Sequence, residues 1–163
     1  MDIEAQVQRA MDALGVPYEV WPCDPELADT AVFCAHYDVA PADSANTIIV
    51  ASKKPKGVYA ACVALATTRL DVNRAVKREM AVSRLSFASA EQTMALTGML
   101  IGGVTPPGLP DELPILVDAA VMERARVIIG GGSRSSKIAV SPTLFERMSG
   151  ARIIHGLAAP RTS

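Results

Sequence analysis

Residues 46–52 (NTIIVAS) and 58–66 (VYAACVALA) are two apolar runs, the first rich in β-branched residues, and only the polar Pro/Gly turn KKPKG stands between them. Such a pair folds as a hairpin, because β-branched side chains suit a pleated surface and the turn is too short to hold a crossover helix. A chain built around it is not a strict strand–helix–strand repeat. The expected class is therefore mixed α+β, with a largely antiparallel mixed sheet and helices outside it.

The flanking segments fit that plan. Ile3, Val7, Ala10, Met11 and Leu14 recur at helical spacing, and Gly15 and Pro17 stop the helix. YEVWP (18–22) reads as a short strand, and 29–39 as a helix capped by Asp29 or Thr30 and ended by Pro41. Asp71 opens a helix over DVNRAVKREMA, 83–88 form a strand, and Ser89 caps AEQTMAL, which stops at Gly98. Strands are predicted at 113–117, 126–130 and 136–140. Ser141-Pro142 opens a last helix through Met148, and a strand at 151–155 precedes a loose tail. No repeat or linker divides the chain, so one domain over 1–163 with a core of about 3–155 is expected.

Half of the residues are apolar and mean hydropathy is +0.24, which excludes a disordered chain. No apolar run approaches the ~18 residues of a membrane span. The start MDIEAQVQRAMDALG lacks the basic and apolar regions of a signal peptide, so a cytoplasmic protein is expected. Cys23, Cys34 and Cys62 are scattered and read as reduced thiols, Cys62 as an inert core group. His36 and His155 are the only histidines, and no metal-ligand spacing or G-x-S-x-G elbow occurs. Neither a metal nor another cofactor is expected. Charge is unevenly placed: residues 1–52 carry nine acidic side chains and one basic, whereas 53–84 carry eight basic and two acidic. Lys53, Lys54 and Lys56 lie in that basic stretch, which could meet phosphates, although charge alone favours a solvated surface.

Two glycine-rich segments carry the chemical signal. GGVTPPGLP (102–110) cannot be a regular element. Its glycines permit close backbone approach and its prolines stiffen the loop, so free N–H groups there suit a small polar ligand; a structural turn is the competing reading. GGGSRSS (130–136) follows a strand, but KIAVSP after it alternates like another strand. It reads as a hairpin turn rather than a phosphate loop, with Arg134 able to reach an anion from it.

In this order, TGMLIGGVTPPG (97–108), LPILVDAAV (113–121) and VIIGGGSRSSKIAVSPTLF (127–145) resemble the YbaK / prolyl-tRNA-synthetase-associated domain family. Gly102, Gly103, Thr105, Pro106, Gly108, Asp118, Gly131 and Gly132 match its pattern, and the resemblance spans about 3–155. It implies a YbaK-like α/β fold, strongly curved and barrel-like, with helices around the sheet. It implies a pocket beneath the Gly-Gly-x-[ST]-Pro loop for the aminoacyl end of a tRNA, and hydrolysis of the ester on mischarged tRNA, typically prolyl-tRNA carrying Ala or Cys. The catalytic set it implies is Asn46, Gly102, Gly103, Thr105 and Asp118. Substrate contacts fall on Thr30, Pro106, Gly108, Gly131, Gly132 and Arg134, and tRNA contacts on Lys53, Lys54 and Lys56. Asn46 stands where the family has a lysine ahead of its T-[IL]-[IV]-V strand. An asparagine hydrogen-bonds but brings no charge. Two functions follow: a trans-acting aminoacyl-tRNA deacylase needing no cofactor, with tRNA and an aminoacyl-tRNA synthetase as partners, or a catalytically weakened module that binds tRNA or an amino acid.

Overall fold

A computed structural model of the chain describes residues 2–161; Met1, Thr162 and Ser163, the ends of the expected 1–163 domain, lie outside the described residues. Helix α1 (Ile3–Leu14) is followed by β1 (Tyr18–Pro22), α2 (Thr30–Tyr37), β2 (Ala45–Lys54), β3 (Lys56–Leu65), β4 (Thr68–Leu70), α3 (Lys77–Met80) and β5 (Arg84–Phe87). The second half holds α4 (Ala90–Thr97), β6 (Ile115–Asp118), β7 (Val127–Gly130), β8 (Ser136–Val140), β9 (Ala151–Ile154) and β10 (Ala158–Pro160). Local chemistry sets several boundaries. Asp2 accepts the Glu4 N–H at 2.8 Å at the start of α1, and Gly15 ends it at φ 71°. Ser89 and Gln92 form a reciprocal capping box at the start of α4.

The strands pair as three sheets, in the orders β5-β2-β3-β6-β9, β1-β8-β7 and β10-β4. Pairing is antiparallel except at β3/β6 and β6/β9. Among the described residues the ladders do not close into a ring, so the barrel expected from the resemblance is not formed by strand pairing.

The five-stranded sheet is buried on both faces, which explains the unbroken apolar run of β3. Ile49, Ala61, Val63 and Val117 face a core shared with Val7 and Met11 of α1 and with Ile129 and Ile138 of the three-stranded sheet. Their neighbours Val50, Cys62, Ala64 and Leu116 face a second core with Val76 and Leu157. The outer side of the three-stranded sheet, through Ile128 and Ala139, packs on Phe33 and Cys34 of α2.

Three expectations change. The segment after Asp71 forms a π-turn over Val72–Val76 before the short α3, and the Asp71 side chain makes no capping bond. The helix opened by Ser141-Pro142 is a 3₁₀ helix, Pro142–Arg147. The tail is not loose: Leu157 is fully buried, and β10 pairs antiparallel with β4, a strand too short to show periodicity. The turn between β2 and β3 is where KKPKG predicts it, with Lys53 opposite Lys56.

Candidate active site

Ser44, just before β2, forms one parallel bridge with Ile128 of β7. The gap between the two sheets is a cavity of about 200 Å³. Asn46, Thr47 and Ile48 of β2 line one wall, Ile129 and Gly130 of β7 another, and Gly102 and Val104 close it from the glycine-proline loop. Asp29 and Thr30, at the start of α2, and Lys137 of β8 also line it.

The polar groups here are held in defined orientations. The Thr30 hydroxyl donates to Oδ1 of Asn46. That fixes the amide and leaves both Nδ2 hydrogens directed away from Thr30. The Thr47 hydroxyl is buried and has no hydrogen-bond partner within the protein. A hydroxyl in a cavity wall without a partner in the protein can hydrogen-bond to whatever occupies the cavity. Lys137 is 7 % exposed. Its Nζ donates to the carbonyls of Ala28 (2.8 Å) and Gly102 (2.7 Å) and lies 5.2 Å from the centre of the Phe33 ring. An ammonium has three donors, so one remains beyond these two bonds. Burial pulls the Lys137 pKa below the ordinary lysine value, opposed by negative charge that Cys23 can carry and reinforced by the nearby Arg134 cation.

The glycine-proline loop plays a different part from that expected of it. Gly102 lines the cavity, but Gly103, Thr105 and Pro106 are buried and do not. The Gly103 N–H is spent on Leu100 O at 2.8 Å, and the N–H groups of Gly131 and Gly132 go to Ser136 O and Gly103 O. These amides are therefore not free donors. The two glycine segments instead pack backbone against backbone: a Cβ on Gly130 would stand 2.6 Å from Val104 O, and one on Gly103 would collide with the Ser133 carbonyl. Gly108 and Gly132 lie against Val7 of α1, which covers both segments from outside. The Thr105 hydroxyl is buried without a partner.

Other sequence-selected residues lie elsewhere. Asp118 is 3 % exposed at the end of β6 and accepts the Ala158 N–H at 3.2 Å, which anchors β10. Burial raises its pKa, against the lowering effect of that bond. Arg134 donates to Asp29 Oδ1 (2.9 Å), Ile101 O (2.7 Å) and Pro25 O (2.9 Å), so its guanidinium ties the cavity rim together. The Arg134 hydrogen bond holds the Asp29 carboxyl below its usual pKa. Lys53, Lys54 and Lys56 are exposed at the far tip of the β2–β3 hairpin. At ~3.3 Å per residue, Lys53 is roughly 23 Å along β2 from Asn46. His36 and His155 are exposed and do not line the cavity. Burial pushes the Cys62 thiol up to about 12. Among the described residues, no group of three His, Cys, Asp or Glu side chains is placed to hold a metal ion, and no helix is long and apolar enough to cross a membrane.

Sequence reading missed Lys137 and Thr47. The signal for Lys137 was a lone cation inside the strand SKIAV, on the same side as Ala139, which packs beside Phe33. A lysine there has to be paired, and what pairs it is the carbonyl of Ala28 together with that of Gly102 in the glycine loop. It also missed a second, wider cavity of about 780 Å³, which shares Asn46 and Ile48 with the first and extends between β4, the segment after it and the C-terminal residues.

The fold is similar to that of the hypothetical protein APE2540, at a TM-score of 0.83 and 25 % identity over 94 % of this chain and 99 % of that one. It is also similar to a candidate trans-editing enzyme for prolyl tRNA synthetase, at a TM-score of 0.80 and 19 % identity over 95 % of this chain and 96 % of that one. The family model of the aminoacyl-tRNA editing domain matches residues 24–148, most of the length, and the chain belongs to that family.

Proposed function

We propose that this chain is an aminoacyl-tRNA deacylase that acts in trans on mischarged tRNA of the prolyl class, with the 200 Å³ cavity receiving the aminoacyl group. The observation that carries this reading is the pairing of an oriented amide, Asn46, with a buried cation, Lys137, in the walls of one small cavity. The space is below the ~300 Å³ lower limit of ordinary ligand pockets and suits an amino-acid side chain. Apolar Ile48, Val104 and Ile129 line part of it, as a small aliphatic group requires.

The chemistry needs no protein nucleophile. Water adds to the ester carbonyl, and negative charge develops on the carbonyl oxygen. The Asn46 Nδ2–H groups and the Lys137 ammonium supply donors for that charge where the spent Gly103 and Gly132 amides do not. The bond from carbonyl carbon to ribose oxygen then breaks, and the ribose oxygen takes the proton lost by the water. Free amino acid and uncharged tRNA leave. Positioning supplies the remainder of the rate. Lys137 also bears on the alternative of a weakened binding module, since it brings to the cavity the charge that Asn46 lacks. A cytoplasmic site of action and an aminoacyl-tRNA synthetase as partner go with this reading.

The test is single-turnover deacylation of a panel of tRNAs carrying cognate and wrong amino acids. Hydrolysis of mischarged prolyl-tRNA is expected, falling about a hundredfold in Asn46→Ala and less in Thr30→Val, which frees the amide without removing it. No hydrolysis of any ester by the folded protein, or full activity in Asn46→Ala, would sink the reading.

A further inference from the structure

The second cavity is about 780 Å³ and meets the first at Asn46 and Ile48. Its lining is cationic: Arg69, Arg74 and Arg161 stand against one carboxylate, Asp71, which pairs with Arg74 at 3.7 Å. Arg161 is held in place, its Nε donating to Ala66 O at 3.1 Å and its N–H to Thr67 O at 3.1 Å. Phe87, at the end of β5, also lines this cavity and leaves 56 % of its surface exposed.

Guanidinium groups recognise phosphate with paired donors, and an exposed aromatic ring beside them is a platform for a base. We propose that this cavity binds the single-stranded 3′ end of the tRNA, with backbone phosphates on Arg69, Arg74 and Arg161 and a base stacked on Phe87. The terminal ribose then sits at Asn46, where the two cavities join, and its ester-linked amino acid passes into the smaller one. This rests on the reading above that the smaller cavity takes the aminoacyl group. It also replaces the hairpin lysines as the RNA-binding groups: Lys53, Lys54 and Lys56 line neither cavity. The arginines come instead from β4, the turn after it and the residue following β10, so the pairing of β4 with β10 is what assembles the groove.

The experiment is fluorescence anisotropy with labelled uncharged tRNA and with a short single-stranded RNA bearing a free 3′ hydroxyl, over a series of salt concentrations. Wild type is compared with Arg69→Ala/Arg74→Ala, with Phe87→Ala, and with Lys53→Ala/Lys54→Ala/Lys56→Ala. All the substituted side chains are exposed, so melting temperatures should stay within a few degrees of wild type. The double arginine variant is expected to bind both RNAs at least tenfold more weakly, with the log–log salt slope reduced by about 0.7 for each phosphate that is no longer neutralised. Phe87→Ala should lose about fivefold or more in affinity with its slope unchanged. Wild-type affinity in the arginine and phenylalanine variants, a larger loss in the lysine variant, or no RNA binding by wild type would each overturn the proposal. Deacylation that persists while binding ignores the arginines refutes this groove alone. Arginine-dependent binding without deacylation of any ester refutes the deacylase reading alone.

Discussion

Replacing Lys137 by methionine separates its structural role from its chemical one. The substitution keeps the length of the side chain, so the apolar surroundings of Phe33 and Ala139 stay filled. It orphans two carbonyl acceptors, Ala28 O and Gly102 O. Each missing bond to a charged donor costs about 1.5–3 kcal/mol. Removing a desolvated ammonium from the interior gives part of that back, so a net loss of about 1–3 kcal/mol is expected. For a chain of 163 residues this lowers Tm by about 2–4 °C per kcal/mol. Against a total stability of roughly 5–15 kcal/mol, more than about 95 % of the variant remains folded at 25 °C. The rate is expected to fall further, by about 10²–10³, because loss of one donor to a developing oxyanion costs that much. Single-turnover deacylation beside thermal melting reads both quantities. The pH dependence adds an independent check. With its pKa lowered from 10.5 by burial, native Lys137 binds fewer protons than the unfolded chain between its shifted value and 10.5. Stability from this group therefore rises with pH across that window, while activity falls as the ammonium is lost. The methionine variant should lack both trends. A folded Lys137→Met protein that deacylates at the wild-type rate would refute the reasoning.

Two further substitutions test the framework around the site. Gly103→Ala drives a Cβ into the Ser133 carbonyl and should destabilise by about 2–3 kcal/mol, read as a lowered Tm, with a wild-type Tm showing that the two glycine segments are not in contact. Asp118→Asn keeps one acceptor oxygen where the carboxylate faces the backbone N–H groups of Ala158, Ala120 and Leu157, and it removes a charge whose pKa burial raises. The native carboxylate costs stability as pH climbs through its raised pKa, so the melting temperature of the asparagine variant relative to wild type should rise from acid towards neutrality. Equal melting curves at both extremes would mean that Asp118 is not held in a desolvated site.

What was legible in the sequence is what local chemistry decides. The β2–β3 hairpin, the Gly15 end of α1 and the Ser89 start of α4 depend on neighbours within a few residues, and the structure has each of them. The β4–β10 ladder joins three-residue segments whose partners lie some ninety positions apart, from Leu70 to Ala158, and neither has a pattern until the other is present. The wider cavity was invisible for the same reason, because its wall draws on residues near 46, 69–74, 87 and 156–161. The loop 102–110 was legible as special, but the cause was not. Its glycines answer first to Gly130, Ser133 and α1, and its contribution to the cavity reduces to Gly102 and Val104.

The asparagine at position 46 also acquires a physical reason once Lys137 is seen. A lysine there, as the family resemblance leads one to expect, would bring a second ammonium to the rim of a 200 Å³ cavity that Lys137 already lines. Two such charges in one cavity of that size, at an effective dielectric near 20, repel by a few kcal/mol. One would deprotonate, or the β2 side chain would turn out of the gap. A neutral amide avoids this. It accepts the Thr30 hydroxyl, keeps its two N–H donors free of that bond and leaves the single cation on β8, where Gly102 O fixes it against the loop. On the proposed function, the charge at this site sits on a neighbouring sheet and position 46 serves as an oriented donor, a role that arginine or lysine would fill less well in so confined a space.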